Sequence, residues 1–131
     1  MKNSKVLKGI LIFLGFFLII IGSWRLIDPV TAFESLGLIL SEDVGLLNEA
    51  RGAAGAMVGL GFLILFGAFK KKITFTSTLV ATVFFLGFGI ARVIGIILDG
   101  NPGDALLKGI ISEFAFGFLA LFALIKYRYR K

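Results

Sequence analysis

Between Gly52 and Phe69 the chain runs for eighteen residues without a charge, and three more long apolar stretches follow the same plan. In such a stretch every residue still carries a backbone N–H and C=O. In lipid these groups have no water to bond, so they must be satisfied within the segment, and a helix does that. A hydrocarbon core of about 30 Å takes roughly 20 helical residues to cross. The stretches predict helices over about 7–27, 48–69, 74–98 and 105–125. The expected fold class is therefore all-α: an integral membrane four-helix bundle, one domain over residues 1–131. Composition agrees, with 58% apolar and 17% charged residues, where a soluble domain has about 45–50% and about 25%.

The boundaries follow from local chemistry. The first apolar run, Gly9 to Trp24, has the basic start and greasy centre of a signal peptide. No small-x-small cleavage site follows it, since the chain reads Gly22-Ser23-Trp24-Arg25, so it is expected to be retained and to end at Asp28-Pro29. In the connector over 28–48, the stretch Val30 to Leu40 is amphipathic enough for a short interfacial helix, and a plain loop fits nearly as well. Lys70-Lys71-Lys72 makes one tight turn, and Asp99-Gly100-Asn101-Pro102-Gly103-Asp104 makes another.

Charge gives the expected topology. Of the 14 basic residues, ten lie in three places: Lys2, Lys5 and Lys8; Lys70, Lys71 and Lys72; and Lys126, Arg128, Arg130 and Lys131. All eight acidic residues lie elsewhere. A net charge of +6 would suggest nucleic acid in a soluble protein; this distribution instead obeys the rule that cytoplasmic loops collect Lys and Arg. Both termini and the lysine turn are expected in the cytoplasm, in the cytoplasmic (inner) membrane, with the connector and the 99–104 turn outside. Trp24, Tyr127 and Tyr129 stand near span ends, where aromatic belts form. The basic tail is read as topology and contact with anionic lipid.

Charges within the spans carry the functional reading, because such residues are costly in lipid and face the bundle interior. At about 1.5 Å per helical residue, Arg92 sits roughly 10 Å and Glu113 roughly 13 Å below the outer surface. A short turn joins their helices, so the two are expected to meet. Arg25, Glu49, Arg51 and Asp99 lie nearer that surface. The inner half has no internal charge, which suggests a cup open outward and not a continuous pore. Small residues are expected on the same faces: Gly15 and Gly22 with Arg25; Gly52, Gly55 and Gly59 with Glu49 and Arg51; Gly87, Ala91 and Gly95 with Arg92; Gly109 and Gly117 with Glu113. Small-xxx-small patterns mark close helix contact. With 17 Gly, faces for a homo-oligomer remain, although four helices can use them among themselves.

Three segments, NEARGAAGAMVGLGFLILFGAF at 48–69, ARVIGIILDGNP at 91–102 and SEFAFGFLALFAL at 112–124, resemble the bacterial four-helix membrane family called domain of unknown function 4345. The resemblance implies the four-helix fold and no activity, and it places Glu49, Arg51, Gly52, Arg92, Gly95, Asp99 and Glu113 on the family pattern.

With no Cys and no His, the chain lacks a thiolate metal site, a thiol nucleophile and the commonest general base. No phosphate-binding loop, metal cluster or cofactor motif stands out, and enzymatic work is not expected. Two readings remain. In one, Arg92, Glu113, Arg51, Glu49, Arg25 and Asp99 hold a small polar or anionic ligand or a lipid head group, with Phe62, Phe84, Phe88 and Phe116 lining an apolar part. In the other, the chain is a structural or accessory subunit and Arg92–Glu113 only fixes helix register. The topology is checked by reporter fusions at the C-terminus and within 100–103, which should report opposite sides of the membrane.

Overall fold

The computed structural model describes residues 4–128. Lys2, Tyr129, Arg130 and Lys131, used above for topology and the aromatic belt, lie outside them. The elements are α1 (Lys5–Ile27), α2 (Pro29–Glu34), α3 (Val44–Gly67), α4 (Thr74–Asp99) and α5 (Asp104–Tyr127), with a single 3₁₀ turn over Lys71–Ile73. Four of these helices are long and apolar enough to cross a membrane: α1, α3, α4 with the turn before it, and α5. Their surfaces fit that solvent. Phe13, Phe16, Ile20, Phe66, Phe122 and Ile125 point outward, an arrangement that lipid tolerates and water does not.

Each helix end has a local cause. The Ser4 hydroxyl accepts from the N–H groups of Val6 and Leu7, satisfying two donors that the first turn of α1 leaves open. Asp28 closes α1 and opens α2: its N–H donates to the Trp24 carbonyl, and its carboxylate accepts from Thr31 N–H. Pro29, the first residue of α2, lacks an N–H that this position leaves unused anyway. Of the interfacial stretch expected over 30–40, only residues 30–34 are thus helical, as part of the six-residue α2, before Gly37 turns the chain with φ 78°. α3 begins at Val44, earlier than the expected 48, because Asp43 caps it by accepting from Gly45 N–H at 2.8 Å. It stops at Gly67 instead of 69, where the tight turn into the lysines begins. The turn between α4 and α5 needs its glycines, since Gly100 and Gly103 have φ of 100° and 107°.

Close backbone approach joins the helices. α1 and α3 run antiparallel and meet where Gly15 faces Gly61. A Cβ at Gly15 would stand 2.9 Å from the Gly61 carbonyl oxygen, and one at Gly61 would stand 3.0 Å from the Gly15 carbonyl oxygen. Gly22 continues this seam against Ala54, Met57 and Val58. α4 and α5 form a second antiparallel pair through Gly89 against Phe114 and Gly117 against Leu86.

A stripe of hydroxyls ties α3 to α4 at the lysine-turn end. Ser77 donates to the Leu63 carbonyl at 2.7 Å, and Thr74 donates to the Gly67 carbonyl at 2.7 Å. Further up α4, Thr78 and Thr82 donate to carbonyls one turn back. All four side chains are buried.

Several expected packing glycines are corrected here. A Cβ at Gly52, Gly55, Gly59, Gly87, Gly95 or Gly109 would meet nothing within 4 Å, and Ala91 is exposed. Of the residues expected to pack on α3, α4 and α5, only Gly117 makes a close contact. The reason is rotation. α3 buries Ala54, Met57, Gly61 and Ile64, and Gly59 stands two residues from Gly61, about 200° around the helix. Gly87 and Gly89 of α4 are related in the same way. The two kinds of glycine should therefore separate in thermal unfolding in detergent. Gly61→Val should lower stability by about 1–3 kcal/mol through overpacking against backbone. Gly59→Ala should be neutral or stabilise by up to about 1 kcal/mol through helix propensity.

Candidate functional site

Register brings the charged residues together. The contacts Gly89–Phe114 and Leu86–Gly117 match each step along α4 to a step back along α5; one turn beyond Gly89, Arg92 comes opposite Ile111, and the long side chains of Arg92 and Glu113 span the two-residue offset between them. Arg92 Nε donates to both carboxylate oxygens, at 2.8 and 3.0 Å. This is the one ion pair among the described residues, and its side chains are 26% and 17% exposed. The bonding uses only one of the guanidinium nitrogens. Among the described residues, Nη1 and Nη2 of Arg92 make no hydrogen bond. Phe88, one turn back on α4, lies under the guanidinium at 5.6 Å.

Arg25 approaches from the other helix pair. It sits one turn beyond Gly22, in the last turn of α1, and half-buried. Its guanidinium lies 5.4 Å from the Phe33 ring centroid, and its Nη1 is 4.0 Å from the Met57 sulfur. Neither is a carboxylate, and Arg25 makes no ion pair within 4.0 Å among the described residues.

Arg25, Arg92 and Glu113 border one cavity of about 180 Å³. Its charged end points toward the connector, whose Leu36 borders the cavity. Its floor is an aromatic cluster that joins the two helix pairs: Phe17 of α1 meets Phe116 of α5 edge-on at 4.9 Å and Phe85 of α4 at 6.3 Å. Gly109 also borders the cavity, and the side chain it lacks leaves room there. A second cavity of about 330 Å³ lies toward the α4–α5 turn, bordered by Gly95, Asp99, Asn101 and Pro102. Arg92 and Leu106 border both.

The remaining expected site residues separate. Arg51 borders neither cavity; its Nη1 donates to the Leu26 carbonyl at 2.9 Å, satisfying an open acceptor at the end of α1. Glu49 is exposed on α3 and borders neither cavity. Asp99 is exposed and belongs to the second cavity. Phe84, Phe88 and Phe116 line the first cavity, whereas Phe62 is exposed and stacks near Phe66 on the outside of α3. Sequence reading missed Phe17 and Phe85. The signal was present: Phe17, Ile21 and Arg25 recur every four residues on α1, and Phe85, Phe88 and Arg92 share one stripe on α4.

The fold and the cavity define a class, a four-span helical membrane protein with a charged pocket at one end of the bundle. The family model for the domain of unknown function DUF4345 matches residues 6–124, and the chain belongs to that family. No curated protein and no solved structure matches it.

The ion pair predicts non-additive behaviour. Arg92→Ala or Glu113→Ala alone strands a partly buried charge. Each should cost about 1–3 kcal/mol, between the roughly 0.2–1 of an exposed pair and the roughly 3–5 of a buried one. The double replacement Arg92→Met with Glu113→Leu should recover most of that loss, as a double-mutant cycle of unfolding midpoints would show.

Proposed function

We propose that this protein binds a small anion carrying an apolar portion, with the charged group between Arg25 and Arg92 and the apolar portion on the floor of Phe17, Phe85 and Phe116. One observation carries the reading: Arg25 and Arg92 border the same cavity while a single carboxylate, Glu113, faces them. A half-buried guanidinium without an ion pair of its own is costly in an apolar surround. An anion from solution or from the lipid surface would supply one. The two free terminal nitrogens of Arg92 suit a carboxylate or phosphate, which guanidinium groups grip through paired hydrogen bonds. The size agrees as well. A dry cavity of about 150 Å³ takes a molecule such as benzene, so about 180 Å³ suits a short amphiphile.

In this reading the protein is not an enzyme. It offers no His or Cys, and its one partly buried carboxylate is occupied in orienting Arg92. The charge distribution supports termini on the cytoplasmic side, which turns the charged end of the cavity toward the outer leaflet. The bilayer itself is the other partner. The competing reading, a structural or accessory subunit, is favoured by the two-oxygen grip of Arg92 on Glu113, which is sufficient to fix register. It leaves Arg25 without a purpose.

The test uses purified protein in nanodiscs of zwitterionic lipid, titrated with hexanoate, hexyl phosphate and hexanol. At least one of the two anions should bind and hexanol should not. Arg25→Met retains the apolar stem and removes the charge. It should weaken anion binding by roughly tenfold or more, the equivalent of about 1.4 kcal/mol, with the unfolding midpoint little changed. Anion affinity that is indifferent to Arg25→Met would sink the binding reading in favour of the structural one.

A further inference from the structure

The binding reading leaves the class of anion open, and the charge balance of the cavity narrows it. Two guanidinium groups and one carboxylate border the space, so its net charge is +1. No other charged side chain borders this cavity. The second cavity, across Arg92, is bordered by one carboxylate, Asp99. Glu113 is 17% exposed and bound to Arg92 through both oxygens, so it does not swing away to make room for a second negative charge.

We infer that Glu113 is the specificity-determining residue of this site and makes it selective for singly charged amphiphiles, meaning a carboxylate or a phosphodiester, over the dianion of a phosphate monoester. A monoanion beside Arg25 and the free nitrogens of Arg92 brings the cavity to neutrality. A dianion would leave it at −1, with one oxygen charge facing Glu113 in a place that water reaches poorly. Like charges in such surroundings repel by more than they do in water. Selection therefore comes from an element that disfavours the wrong ligand, while the arginines attract both. The inference rests on the binding reading, and its test is chosen to fail separately.

Hexanoate and hexyl phosphate are titrated into the protein in zwitterionic nanodiscs at about pH 8, where the phosphate monoester, with a second pKa of about 6, is a dianion. The wild-type protein should bind hexanoate at least roughly tenfold tighter, a gap of about 1.4 kcal/mol. Glu113→Gln retains an oxygen for Arg92 Nε and removes the charge, and it should erase or invert that preference by tightening hexyl phosphate. Equal affinities in the wild type, or an unchanged ratio in Glu113→Gln, would overturn the inference while leaving anion binding intact. Binding of neither anion to the wild type would remove the binding reading and this inference with it. Should Glu113→Gln fail to fold, the wild-type ratio alone decides. A last arm places an anionic phosphodiester lipid in the nanodisc. Loss of hexanoate binding then identifies the lipid head group as the source of the monoanion, and undiminished binding identifies a free acid.

Discussion

The whole arrangement depends on how close α1 and α3 come. In lipid no hydrophobic force drives helices together, because the tails are as apolar as leucine; packing and polar contacts must do it. At Gly15 and Gly61 neither helix has a side chain to hold the other away, and each backbone lies where the other's Cβ would be. Gly22 prolongs this seam toward the connector, and Arg25 follows one turn later. The position of Arg25 is thus a consequence of glycine packing one and about three turns below it. The α4–α5 pair repeats the device with Gly89 and Gly117, and the same register that seats those glycines aligns Arg92 with Glu113.

The two pairs then meet through larger side chains. Phe116 meets Phe17 and Phe85 edge to face, a favoured geometry for aromatic rings, and Phe17 and Phe85 lie tilted to each other. Bulky rings hold the pairs apart where glycines would draw them together, and the space above the rings is the cavity. Glycine at 109 leaves that space unfilled, as glycine at 95 does for its neighbour. Some glycines here serve contact and others serve vacancy.

That distinction marks the limit of what sequence reading reached. Span number, helical class and the meeting of Arg92 with Glu113 follow from length, apolarity and rise per residue, which depend little on helix rotation. Whether Gly59 or Gly61 faces α1 depends on rotation alone, and both belong to plausible small-residue stripes. Asp43 went unused as a cap because the apolar run starts well after it. The role of Arg51 was hidden because its partner, the Leu26 carbonyl, is a backbone atom and leaves no trace in residue types. The hydroxyls of α4 were passed over because Thr and Ser read as mildly apolar within a long greasy run. Arg25, by contrast, was assigned to the charged end from its position near the end of the first span.

Those hydroxyls have a mechanical consequence. At the lysine-turn end, Thr74 and Ser77 bond to carbonyls of the α3 terminus, in surroundings where no water can take over a broken bond. Parting the helices there would expose polar groups to hydrocarbon at a cost of several kcal/mol each. At the other end, α1 faces the α4–α5 pair across a space bordered by phenylalanines and two arginines, and neither Arg25 nor Arg92 donates a hydrogen bond across it to the other pair among the described residues. Stiffness is therefore graded along the membrane normal. The bundle is built like a clothes-peg, sprung at the lysines and compliant at the far end, and any widening admitted by thermal motion is concentrated beside Arg25 and Arg92.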